Sequence, residues 1–254
     1  MDLGFNEKVV IITGGSTGIG AATAQLFARE GASVVIADVN ETQGQVTTQQ
    51  IQQAGEKAIF IHCDVSNASQ VQQMVQQTVS HFGRLDFAFN NAGIEGNLAP
   101  IADQDPDAWN KVIAVNLTGV FLCMKYQIPE ILKNGKGSIV NCASILGLVG
   151  FAGAGAYDAA KHGVIGLTQN AALEYSAAGI RINAVAPGFI ETPMLERAGI
   201  LTSPDMRKMV ESLHPIGRIG KAEEIAGAVA WLCSDYASFV TGHTLLVDGA
   251  YTSR

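Results

Sequence analysis

At 254 residues the chain is long enough for one α/β domain with a substantial buried core. Its formal net charge of −7 argues against a broad phosphate-binding face, and so against nucleic acid as a partner. Cys63, Cys123, Cys142 and Cys233 are scattered with no Cys-x-x-Cys pair, and the five histidines show no His-Glu-x-x-His spacing. The thiols therefore read as reduced and mostly buried in a cytoplasmic protein, and no metal site is expected. The N-terminal stretch has neither a basic region nor a long apolar run, so no signal peptide is expected.

The chain opens with an apolar β-branched run, Val9-Val10-Ile11-Ile12, which reads as a strand buried on both faces. It breaks into glycines at 14, 15, 18 and 20. A helical pattern follows, with Ile19, Ala22, Thr23, Leu26 and Phe27 on one face. A strand, a glycine turn and a helix N-terminus together bind pyrophosphate, because backbone N–H groups and a partial positive charge can approach it closely. Apolar runs and helical patterns then alternate to the C-terminus. Strands are expected over 8–13, 33–37, 58–62, 85–89, 137–142, 180–185 and 244–247. Helices are expected over 18–30, 41–54, 67–81, 106–133, 155–178, 204–212 and 221–233. This alternation predicts a Rossmann-type, doubly wound α/β fold: a mostly parallel seven-stranded sheet with helices on both faces, in a single domain over 1–254. Pro129 is expected to kink the 106–133 helix or end it early. The uncharged stretch 137–157 carries recurrent glycines and interrupting polar residues, which fits a buried strand and loop rather than a membrane helix. The irregular segment 188–215, with Pro193, Pro204 and Pro215, has the length of a lid over a site.

Ligands of open parallel sheets bind beyond the carboxyl ends of the strands. The second strand ends at Asp38, placed to accept hydrogen bonds from adenosine ribose hydroxyls. A carboxylate there repels a 2′-phosphate, and no Lys or Arg stands in 14–20 or directly after Asp38, so NAD(H) is expected over NADP. Tyr157 and Lys161 are four apart in a helical pattern and share a face. A free phenol titrates near ~10, too high for a base at neutral pH, but a cation held beside it stabilises the phenolate and fits it for proton transfer. Ser144, at the tip of the fifth strand, is placed to donate a hydrogen bond to a substrate oxygen.

These features together resemble the short-chain dehydrogenases/reductases, in their short single-domain branch. The resemblance covers nearly the whole length. It rests on Thr13-Gly14-Gly15-Ser16-Thr17-Gly18-Ile19-Gly20, Asp64-Val65, Asn90-Asn91-Ala92-Gly93, Asn116, Ser144, Tyr157-Asp158-Ala159-Ala160-Lys161 and Pro187-Gly188. The family implies a hydride transfer between a nicotinamide and a secondary alcohol or ketone. Tyr157 would exchange the proton, Lys161 would assist it and hold the nicotinamide ribose, Ser144 would orient the substrate oxygen, and Asn116 would kink its helix and hold a relay water. By the same resemblance Gly14, Ser16, Thr17, Gly18, Ile19, Gly20, Asp38, Asp64, Val65, Asn91, Ala92 and Gly93 would line the cofactor, with Pro187 and Gly188 following. Ile190 and Thr192 would grip the carboxamide. The family also implies a homotetramer paired through the helices of 106–133 and 155–178.

Candidate substrate-pocket residues are Ile94, Glu95, Gly96, Ile145, Leu146, Leu148, Gly150, Met194 and Leu195, a mostly apolar set suited to a compact apolar or cyclic body. The alternatives are a 3-oxoacyl thioester reductase, which usually takes NADP and so sits poorly with Asp38, and a non-catalytic nucleotide-binding regulatory module, against which Asn116, Ser144, Tyr157 and Lys161 all argue.

Overall fold

A computed structural model describes residues 2–253. Seven strands form its sheet: β1 (Val9–Thr13), β2 (Ser33–Asp38), β3 (Ala58–His62), β4 (Phe87–Asn90), β5 (Gly137–Cys142), β6 (Ile180–Pro187) and β7 (Thr244–Val247). The order is β3-β2-β1-β4-β5-β6-β7 and every pairing is parallel. The chain thus reverses its direction of travel across the sheet between β1 and β4. At that switch point Thr13 pairs with both Ala37 and Asn90, and a crevice opens beyond the strand ends.

Alternate residues of each strand feed two cores. Ile11, Val35, Ile139 and Ile182 point to the face covered by α3 (Ala68–Phe82), α5 (Gly119–Leu132) and α6 (Gly155–Tyr175). Val10, Ile12, Ile36 and Val185 point to the face covered by α1 (Gly18–Arg29), α2 (Glu41–Gln53) and α9 (Ala222–Cys233). Strands buried on both faces have no polar side to display, so they read as unbroken apolar runs. On the second face Phe5 stacks on Phe27 at 4.6 Å and tilts against Phe87 at 5.1 Å.

The 106–133 segment departs from its expected form. It is α4 (Pro106–Ile113), a π turn (Ala114–Thr118) and then α5. The irregularity lies at Asn116, not at Pro129, and α5 continues past Pro129 to Leu132. Pro129 and Lys125, the residue whose carbonyl loses its helical partner, both face solvent, where water can satisfy that carbonyl. This stretch is long and apolar enough to cross a membrane, yet half of its most apolar window is buried inside the fold. The 137–157 stretch is β5, a short turn at Ile145–Gly147 and a loop leading into α6, as its composition implied. The 155–178 pattern ends as a helix at Tyr175; a single tighter turn (Ser176–Ala178) and left-handed Gly179 follow. Between β6 and α9 the chain makes its long excursion. Two helices brace it, α7 (Pro193–Arg197) and the expected α8 (Pro204–Ser212); α7 is short and was not legible as a helix.

Candidate active site

A cavity of about 630 Å³ opens at the carboxyl edge of the sheet. Ser144, Tyr157 and Lys161 all line it. Ser144 follows β5 in extended conformation, and its Oγ accepts the Leu146 amide at 3.1 Å, so its own hydrogen remains free to donate into the cavity. Tyr157 stands in the first turn of α6. Its hydroxyl makes no hydrogen bond among the described residues, and the Lys161 ammonium sits 5.4 Å from the ring centroid. Lys161 is 3 % exposed, so it is no solvated surface charge; its Nζ donates to the Cys142 carbonyl at 2.7 Å, which anchors the amine between the end of β5 and the phenol. A buried lysine has few satisfied alternatives, and this one is aimed.

The glycine turn and the β4 loop form one unit. Asn91 Nδ2 donates to the carbonyls of Thr13 and Gly14, both at 3.0 Å, while Thr13 Oγ1 accepts the amides of Asn91 and Ala92. Gly14 adopts a positive φ of 61°, and a Cβ on Gly20 would lie 2.1 Å from the Gly14 carbonyl oxygen. The α1 N-terminus has no side-chain cap and no acidic residue in its first turn, so its free N–H groups face the crevice. A backbone cradle that admits no side chain, ending on uncapped amides, fits a pyrophosphate. Asp38 accepts Ser16 N at 3.1 Å and Asn40 N at 3.0 Å, and so holds the tip of β2 beside this turn. These residues fit a dinucleotide of the nicotinamide type.

The other expected positions divide. Ile19, Asn91, Gly93, Pro187, Gly188, Ile190 and Thr192 line the cavity. A Cβ on Gly18 would lie 3.1 Å from Thr192 Cγ2, so the glycine turn and the β6 loop meet across the crevice. Asp64 spends one carboxylate oxygen on the Ser66 amide and hydroxyl, shaping the loop after β3. Val65 is a core residue whose side chain packs on Gly119. Asn116 is fully buried and does not line the cavity: its Oδ1 accepts Ile94 N and its Nδ2 donates to Ile94 O, both at 2.8 Å. The π turn swings this amide inward, and it clamps the loop after β4. Of the pocket candidates, Glu95, Gly96, Ile145, Leu146, Met194 and Leu195 line the cavity, whereas Ile94, Leu148 and Gly150 do not. Ile94 is held back by its clamp, and Leu148 turns to solvent.

A family model described as enoyl-(acyl carrier protein) reductase matches residues 14–252. The chain is 48 % identical over 250 residues to a cyclohexanol dehydrogenase of Acinetobacter sp. (strain SE19), covering 98 % of this chain and 97 % of that protein. It is 45 % identical over 249 residues to a cis-4-hydroxycyclohexanecarboxylate dehydrogenase of Sinomonas cyclohexanicum, covering 98 % of each. The crystal structure of levodione reductase superposes with a TM-score of 0.94 at 40 % identity, over 98 % of this chain and 99 % of that one. The chain belongs to the short-chain dehydrogenases/reductases.

In this short-chain dehydrogenase/reductase, an enzyme acting on CH–OH groups, the far wall of the cavity went unread in the sequence. Met206, Met209, Val210 and Leu213 line it from α8 and the residue after it. Their i, i+3, i+4, i+7 spacing was the available signal. Phe151 and Ala154 join from the loop before α6, and Asp158 Oδ2 pins Phe151 by accepting its amide at 2.9 Å. At the mouth Arg197 of α7 pairs with Glu95, Nε to Oε1 at 3.3 Å.

Proposed function

We propose that the protein is an NAD(H)-dependent oxidoreductase that interconverts a neutral, compact, cyclic secondary alcohol and its ketone, with Tyr157 as general acid/base. The observation that carries this reading is the free Tyr157 hydroxyl in an apolar cavity that Ser144 also lines, with the buried Lys161 ammonium held over the phenol ring. Bound NAD(H) supplies the hydride acceptor or donor. In oxidation, Ser144 holds the substrate oxygen while Tyr157 takes its proton; in reduction, the same hydroxyl returns a proton to the carbonyl oxygen. Lys161 stabilises the phenolate in either direction. Asn116 acts on the reaction by holding Ile94 and, through it, the loop that begins at Gly93.

Asp38 supports NAD(H), since its carboxylate stands where a 2′-phosphate would meet like charge. The lining supports a neutral substrate: Leu146, Phe151, Met194, Leu195 and Met209 are apolar, and Glu95 and Arg197 neutralise each other. The cyclic body follows from the cyclohexane rings in the names of the two relatives. The segment 188–215 serves as the lid. The exposed Phe121 of α5 and Leu173 of α6 support pairing of those helices in a homotetramer, and four free, buried cysteines suit the reducing cytoplasm.

The test is NADH formation on a panel of cycloalkanols, with NAD and NADP compared, in wild type and Tyr157→Phe. The expected result is turnover of cyclohexanol-like alcohols with NAD, lost by at least about a thousandfold in the variant with NADH binding kept. Higher kcat/KM with NADP, or equal turnover in Tyr157→Phe, overturns it.

A further inference from the structure

His214 lies outside the residues given a role above, yet it joins the two ends of the 188–215 excursion. It is 3 % exposed. Its Nδ1 is 2.9 Å from the Val210 carbonyl of α8, and its Nε2 is 3.2 Å from the Phe189 amide. A carbonyl can only accept and an amide N–H can only donate, so one form of the ring satisfies both partners: neutral, with the proton on Nδ1. The ring also meets Phe189 edge-on at 5.7 Å and Tyr251 at 5.4 Å. Gly188 makes room for it, since a Cβ there would lie 2.9 Å from His214 Nε2 and 3.0 Å from the Asp248 Cα. Gly188, Phe189 and Ile190, on the far side of this contact, line the cavity together with Thr192. From the other end of the excursion, Val210 and Leu213 line the same cavity.

We propose that His214 is a positioning residue: through Phe189 N and Val210 O it locks the loop 188–192 to α8 and holds the cofactor-side wall ready to capture the cofactor. The inference rests on reading 188–192 as the segment that holds the nicotinamide. The ring itself is buried and its two hydrogen bonds are the side-chain ties between loop 188–192 and α8 at this point, so removing them loosens the wall. Because the ring touches neither Tyr157 nor Ser144, its loss acts on cofactor capture ahead of proton transfer.

The experiment uses the full chain with His214→Phe, which keeps a ring between Phe189 and Tyr251 but neither hydrogen bond. His214→Gln is the companion variant, able to accept the Phe189 amide without reaching the Val210 carbonyl. Hydrogen–deuterium exchange over 188–200 is expected to rise by at least about tenfold in His214→Phe and less in His214→Gln. KM for NAD is expected to rise by at least about fivefold, while kcat at saturating NAD stays within about twofold. In wild type, nitrogen-15 spectra are expected to report the Nδ1-protonated neutral ring. Unchanged exchange over 188–200, an Nε2-protonated ring, or kcat falling in step with an unchanged KM each overturns the proposal. An enzyme that binds no NADH at all defeats the functional reading above, while the exchange and tautomer measurements still decide the lock.

Discussion

Replacing Lys161 with Met separates the amine's chemistry from its volume. In the native protein the ammonium is 5.4 Å from the Tyr157 ring centroid, which stands here for the delocalised phenolate charge. At an effective dielectric near ~20, Coulomb's law gives an attraction of about 3 kcal/mol at that separation. A loss of that size slows any step that builds the phenolate by about a hundredfold. Stability should move the other way. Burying an ammonium is costly, and Met fills a similar space with no charge, so Tm is expected to stay level or rise. The assay is kcat for reduction at saturating NADH and ketone, the direction in which Tyr157 gives up its proton, paired with NADH fluorescence titration and thermal melting. A kcat within about threefold of wild type, with NADH binding retained, would refute the electrostatic role. A large fall in Tm would show instead that the Cys142 contact holds the fold together.

Three other outcomes are expected. Asp38→Ala removes the acceptor of Ser16 N and the like-charge barrier, so the NADP-to-NAD ratio of kcat/KM should rise by at least about tenfold in steady-state kinetics; an unchanged ratio counts against the assignment. Asn141→Leu orphans the Asn90 amide, 2.9 Å away in a fully buried site, and takes a donor from Thr168 at 3.0 Å; urea unfolding should show a loss of about 2–4 kcal/mol. Glu95→Gln frees the Arg197 guanidinium at the mouth, so turnover of cis-4-hydroxycyclohexanecarboxylate should gain about three- to tenfold over cyclohexanol, as read from competing-substrate rates.

The strands were legible to within two residues because a strand buried on both faces must be apolar throughout, and glycines or polar residues mark where burial stops. The placement of Ser144, Tyr157 and Lys161 in one cavity was legible for a related reason: a strand tip and one turn of one helix are local facts. What escaped the sequence depends on partners far along the chain. The residue types within 114–118 do not announce a π turn, and the kink at Asn116 was expected from the family resemblance alone; in the structure the turn lets both amide groups of Asn116 meet the Ile94 backbone. Asn141, near the end of the expected 137–142 strand, sits in a buried network with Asn90, Gln127 and Thr168. Asp86 was read as the interior of a strand. It instead caps the start of the sheet, taking the Val9 amide at 3.0 Å and the Arg84 guanidinium at 2.6–2.8 Å. Pro129 looked like a breaker because a sequence does not say which carbonyl water can reach.

The strand order also dictates when the protein becomes competent during synthesis. Residues 9–13 leave the ribosome first but sit mid-sheet, and their second neighbour, 87–90, emerges much later. The last edge, 244–247, closes on 184–187 only after the whole 188–243 segment has been made. Until then Ala184–Pro187 of β6 is an open strand edge, and such an edge invites pairing with another chain. A stop codon before 240 would therefore yield an aggregating product rather than a weaker enzyme.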